Sequence, residues 1–369
     1  PAQTITLQGR INADTVLRKA NTYILKGIVY LVGNHTMTIE AGTVIKGSFA
    51  GTDVAALVIT RGSKINAQGT ATEPIVFTSA SPNPQSGDWG GLVLCGKAEI
   101  NTSFNGIAGL FQVEGGIDNA HGDGLAGSGD AVATVPVNDD NSGILSYVRI
   151  EYAGYAFQPD KEINSLTMAC VGSGTQIDHI QVTYAKDDAY EWFGGTVNAK
   201  FLIAYKTQDD DFDTDNGFSG KIQFGLVLRD SLIADISTSE AFESDNNSSG
   251  TTAQPKTSPI FSNITVLGPR ATSNNIGNSL FRAGAQIRRN SSLSIFNSII
   301  SGWPQGILID AGTGSSTALN IEDSSLRIRN VTVAGNTINL TFTGTGGATI
   351  ANDASVHTWA SNPAYNNDF

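Results

Sequence analysis

Apolar and polar residues alternate in short runs along most of the chain, and the runs typically stop at a Gly or an Asn. In "YVRIEYAG" (147–154) the charged Arg149 separates Val148 from Ile150. "HIQVTYAK" (179–186) repeats the arrangement with Ile180 and Val182, about 32 residues on. A period of two places alternate side chains on one face of a strand, whereas a helix needs apolar residues at 3.6-residue spacing. Three later units, "NITVLG" from Asn263, "NSIISG" from Asn297 and "NVTVAG" from Asn330, are spaced 34 and 33 residues apart. β-periodic repeats of this length belong to solenoids or propellers, and propeller blades are longer, at roughly 40–50 residues, with more hairpin turns. The pattern predicts an all-β chain, a single-domain right-handed parallel β-helix (a solenoid) with long loop excursions. Ile264, Val266, Val331 and Val333 should fill its interior. Asn263 and Asn330 should sit at equivalent corners, where amide side chains bond from rung to rung.

A chain of 369 residues would ordinarily divide into two or more domains, but a solenoid packs each repeat only on its neighbours and escapes that limit. One domain over 1–369 is therefore expected, with an N-terminal cap region over 1–40 and a C-terminal cap or tail over 340–369. Two segments interrupt the pattern. Residues 114–143 are rich in Gly and Asp with little apolar content, and 244–258 are similarly polar. Both read as loops leaving the coil between rungs, because such composition buries no core of its own. Composition agrees with the strand reading: 41 Gly, 15% charged residues and only 2 Met, with Val, Ile, Thr and Asn in place of the helix formers. The formal charge of −12 argues against nucleic acid and suits divalent cations or a neutral or basic partner. No apolar run approaches the roughly 18–20 residues of a membrane helix. The chain opens on Pro1 without Met, so a mature, processed product is the expectation. Cys95 and Cys170 lie in apolar runs and are read as two buried thiols or as one bridge between rungs.

Several stretches, "IEAGTVIKG", "GDWGGLVLCGKAEIN", "DDNSGILSYVRIEYAG", "DDAYEWFGGTVNAKF" and "DDDFDTDNGFSGKIQF", resemble a family of secreted or cell-surface β-helix proteins of Bacteroidetes. Its members often carry a type IX secretion sorting domain or a lipid anchor. The resemblance covers roughly residues 40–270. It implies a parallel β-helix at an extracellular or outer-surface location, and it implies no particular reaction.

The candidate chemistry lies in a repeated acidic pattern. Asp188-Ala189-Tyr190-Glu191, Asp210-Asp211-Phe212-Asp213 and Glu240-Ala241-Phe242-Glu243 superpose as acid-x-aromatic-acid. Stacked rungs would set the aromatics in one ladder and Asp188, Glu191, Asp210, Asp213, Glu240 and Glu243 in acidic ladders beside it, about 4.8 Å apart. In a regular strand Asp188 would share a face with Tyr190, opposite Glu191. Three readings follow. The acids could form a solvated turn. Asp209, Asp211, Asp213 and Asp215, at alternate positions ahead of Gly217, could bind calcium, as oxygen ligands around a hard cation do. Or Asp187, Asp188 and Asp210 could act as catalytic acid and base on a polysaccharide. No Gly-His-Gly accompanies them, the four His are scattered, and Gly-x-Ser-x-Gly is absent. Lys186, Lys200, Lys206 and Lys221 are the nearby candidates for a lyase base. Arg282, Arg288 and Arg289 form the one basic cluster, suited to ion pairing with the acidic rungs or to an acidic glycan. Trp89, Trp192, Trp303 and Trp359 are candidates for sugar stacking or for buried packing. The favoured expectation is a non-enzymatic secreted scaffold or adhesive module. It would be calcium-stabilised, binding a polysaccharide or cell-surface component or associating with itself. The alternative is an extracellular polysaccharide-cleaving enzyme.

Overall fold

The computed structural model describes residues 3–158, 161–270 and 277–369. The strands stack into one long sheet, winding as three columns whose rung-to-rung pairings are all parallel. The first column runs through Ala56–Ile59, Leu92–Cys95, Leu166–Ala169, Tyr190–Phe193, Phe212–Asp215, Ser239–Ser244 and Phe281–Ile287. The second and third share longer strands, such as Gln176–Thr183 and Ile260–Leu267, which bend in the middle. The chain is a parallel β-helix. Stacked strands satisfy each other's backbone groups, so each rung needs only a few apolar side chains pointing inward.

Those side chains are the ones the alternation marks. Ile264, Val266, Val331 and Val333 are all buried, and Val148 and Ile150 stack on Ile180 and Val182. The turns are not of constant length: Asp188 stacks on Asp210 only 22 residues later, which a search for a repeat of about 32 overlooks. The bend between the second and third columns is made by one residue per rung in the left-handed region: Tyr147, His179, Phe201, Phe224, Asn263, Asn297 and Asn330. An L-residue costs about 1–2 kcal/mol there, and stacking offsets it in two ways. Tyr147, His179, Phe201 and Phe224 lie ring on ring, with centroids 4.2, 4.4 and 4.9 Å apart. Asn330 Nδ2 donates to Asn297 Oδ1 at 2.6 Å, and Asn366 Nδ2 to Asn330 Oδ1 at 2.7 Å.

The segment 114–143 corrects one expectation. It does leave the coil, but it then lies back over the outer face of the first column. There Ile117 and Ala126 join Val58, Val93, Cys95 and Ala169 in a second hydrophobic cluster. A segment with few apolar residues can be held in this way because the sheet supplies most of the cluster. Ion pairs fasten it: the exposed Arg10 to the buried Asp123 at 2.6 Å, and the buried Arg61 to Asp130 at 2.6 Å. Cys95 and Cys170 are free, buried thiols in the same cluster. At the far end the helix Asp353–Ala360, capped by Asn352, lays Val356 and Ala360 on the last rung.

Val331→Asp should destabilise the coil by about 4 kcal/mol or more, because the charge has no partner inside. Asn330→Val should cost about 1–3 kcal/mol through its left-handed backbone alone. Denaturant midpoints of the two variants test both values, and a near wild-type Val331→Asp would break the rung alignment.

Candidate functional site: an acidic cleft on the first column

Beyond the cover of 114–143, the outward column changes character. Val93 and Thr167 give way to Glu191, Asp213 and Glu243, in register on successive rungs, and then to Gln286. Inside the coil the aromatics of the same pattern stack, Tyr190 on Phe212 at 5.6 Å and Phe212 on Phe242 at 5.4 Å. The acids floor a cleft of about 820 Å³.

Asp188 and Glu191 open onto the same cleft, against the simple alternation. The strand begins only at Tyr190, so Asp188 belongs to the bend before it and is free of the two-residue period. The bend also gives these acids work on the backbone. Asp188 Oδ1 accepts from the Asp210 N–H at 2.9 Å, and Asp210 Oδ1 accepts from the Glu240 N–H at 2.6 Å. Each carboxylate thus caps the next rung. Nor is this a solvated turn: Asp188 is 6%, Asp210 4% and Glu240 0% exposed.

Single ligand oxygens of Asp187, Asp188 and Asp209 lie within 4.8 Å of one another, as do those of Asp188, Glu191 and Asp213, and those of Asp210, Glu240 and Glu243. These buried clusters have the composition of a metal centre. Among the described residues Asp213 Oδ1 and Glu240 Oε2 have no hydrogen-bond partner. Burial, then the neighbouring Asp187 and Asp210, holds Asp188 well above the usual carboxylate range. Burial, then Asp213 and Asp188, does the same to Glu191. Burial and Glu243 raise Asp213, and burial and Glu240 raise Asp210. Burial pushes Glu243 up to about 8 although Arg288 opposes it.

Asp209, Asp211, Asp213 and Asp215 do not converge as one loop site. Asp211 turns into the coil and pairs with Arg229 at 2.8 Å, both side chains fully buried. Asp209 and Asp213 reach the cleft, while Asp215 lies further along, raised by burial and by Asp245. The alternate spacing is that of a strand start, and a solenoid gathers ligands from successive rungs rather than from i, i+2 neighbours.

The basic cluster is ion-paired. Arg288 bonds Glu243 and Asp245, Arg289 holds Asp245 at 2.7 Å, and Arg282 faces Asp310 at 3.6 Å. Arg288 and Arg289 still line the cleft. Of the lysines, Lys186 reaches its rim. Lys206 pairs with Asp230 at 3.2 Å, and Lys200 and Lys221 belong to the second column. Trp89, Trp192 and Trp303 are wholly buried and pack the core. Sequence reasoning missed Glu114, Glu162, Asn164 and Asp235, which complete the walls. Asn164 donates to Glu191. Only Glu114, at the head of the polar segment, carried a visible signal.

No curated protein matches the chain in sequence. A family described as a pectate-lyase-like β-helix domain matches residues 9–367, nearly the whole chain, and the chain belongs to that family.

Proposed function

We propose that the chain is a secreted or outer-surface β-helix whose acidic cleft binds a divalent cation, calcium by its donor chemistry, and through it a carboxylated polysaccharide. The observation that carries this reading is the triad of buried Asp188 and Glu191 with half-buried Asp213, whose oxygens lie within 4.8 Å of one another, one Asp213 oxygen having no partner among the described residues. Adjacent carboxylates repel by about 1 kcal/mol at water-like dielectric and more when shielded. A hard cation removes that repulsion. The donors are all carboxylate oxygens, without His or Cys, which favours calcium or magnesium over zinc. Calcium accepts the irregular geometry of ligands drawn from separate rungs and keeps positions open for a second partner's carboxylates. Arg288 and Arg289 at the cleft wall supply complementary charge for such a partner.

Binding rather than cleavage is the reading because the guanidiniums that line the cleft are tied to acids, Arg288 to Glu243 and Asp245 and Arg289 to Asp245, and are poorly placed to take a proton. A panel of uronate-containing and neutral polysaccharides separates the two classes. Retention on uronate polymers only with calcium present supports binding. Unsaturated products or new reducing ends would make the chain an enzyme, with Lys186 the first residue to replace.

The melting temperature should rise with calcium and fall in chelator, and Glu191→Gln with Asp213→Asn should abolish the response. An unchanged melting curve, with no metal by elemental analysis, would remove calcium from the account. The pH dependence follows from the raised carboxyls. A group held above its ordinary value in the folded chain favours folding while protonated, and that advantage is lost as pH climbs through the folded value. In chelator, stability should decline from about pH 4.5 to about pH 8, the interval set by Glu243. Calcium should flatten the decline, which thermal melts across that range would read.

A further inference from the structure

We infer that Arg229, which faces the inside of the coil, is the positioning residue of the cleft and presets its carboxylates for a cation; this rests on the cleft being a cation site. Arg229 follows the strand Lys221–Leu228, and its side chain is fully buried. A buried guanidinium is tolerated only with its donors satisfied, and here every partner belongs to the acidic rungs. Nε donates to Asp211 Oδ2 at 2.8 Å, and Nη1 donates to the carbonyls of Thr207 at 2.6 Å and Gln208 at 3.4 Å. Nη2 donates to the carbonyls of both Asp209 and Glu240. The rings of Phe281 and Trp303 pack against it, each centroid 5.6 Å from the guanidinium carbon.

The geometry has a direct effect on the cleft. Successive carbonyls from Thr207 to Asp209 turn inward to one fork, which leaves the Asp209 and Asp210 carboxylates on the cleft side. The shared Nη2 ties the Asp209 rung to the Glu240 rung, across the same step where Asp210 Oδ1 caps the Glu240 N–H. The spacing of Asp210, Glu240 and Glu243 is therefore set from within, by a planar fork that a lysine's single ammonium cannot reproduce. In metal sites, partners behind the ligands typically change affinity 10–100-fold when removed.

The test is calcium titration of the full chain by calorimetry, with terbium luminescence lifetimes counting the waters left on the bound ion. Asp211→Asn with Arg229→Gln removes both charges of the interior pair together, and Arg229→Lys keeps the charge but not the fork. Both variants should bind calcium about tenfold or more weakly and leave extra water on terbium. A folded double variant with wild-type affinity and hydration overturns the positioning role, even if its melting temperature is lower, since a merely structural role predicts that outcome. Should the double variant fail to fold, wild-type affinity in Arg229→Lys overturns it equally. A wild-type chain that binds neither ion overturns the cation site itself, a result distinct from either.

Discussion

In-register stacking at about 4.8 Å is the constraint on which the rest of this molecule depends. It sets each residue directly upon its counterpart one turn away, so like meets like over and over. Apolar columns gain from this at every step. Rings gain as well, inside at Tyr190, Phe212 and Phe242 and outside at Tyr147, His179, Phe201 and Phe224. Carboxylates lose, and the chain nevertheless places them on successive rungs. Backbone N–H groups offset part of that cost at Asp188 and Asp210, and Arg288 offsets part at Glu243. The remainder, centred on Glu191, Asp213 and Glu240, is the physical reason to look for a cation.

The outer face of the first column is divided by what covers it. Over the early rungs the segment 114–143 lies on Val58, Val93 and Cys95, and the face is apolar because it is never wet. Past Thr167 the cover ends, and the acids begin at Glu191. Glu114, at the start of the covering segment, is also part of the cleft wall. The excursion is thus both roof for one half of the sheet and rim for the other.

The fold was legible in the sequence because its rule is local. Alternation marked the interior residues, and the Asn-headed units marked one corner. The register of Glu191, Asp213 and Glu243 was also legible, since the aromatic between the acids fixes the alignment. The strand boundary at Tyr190 was not, and it decides that Asp188 and Glu191 open onto one cleft. Asp211 was misassigned for a related reason: its spacing matched a calcium loop, while its partner Arg229 lies a rung away with no pattern linking the two. Glu114 and Asp235 come from separate loops and Glu162 from the short strand Lys161–Glu162, and only the closed solenoid brings them together.

The column of corner amides has a direction. Asn366 donates to Asn330, Asn330 to Asn297, and Asn297 to the Ser262 hydroxyl, so these three amide dipoles point toward the N-terminal end, and the row stops at Asn263, which accepts from Gln223 instead. Aligned donors polarise one another, and each bond in such a row is stronger for the presence of the next. The corner therefore behaves as one extended polar object rather than as independent links. Breaking a second amide beside a first would cost less than breaking it alone.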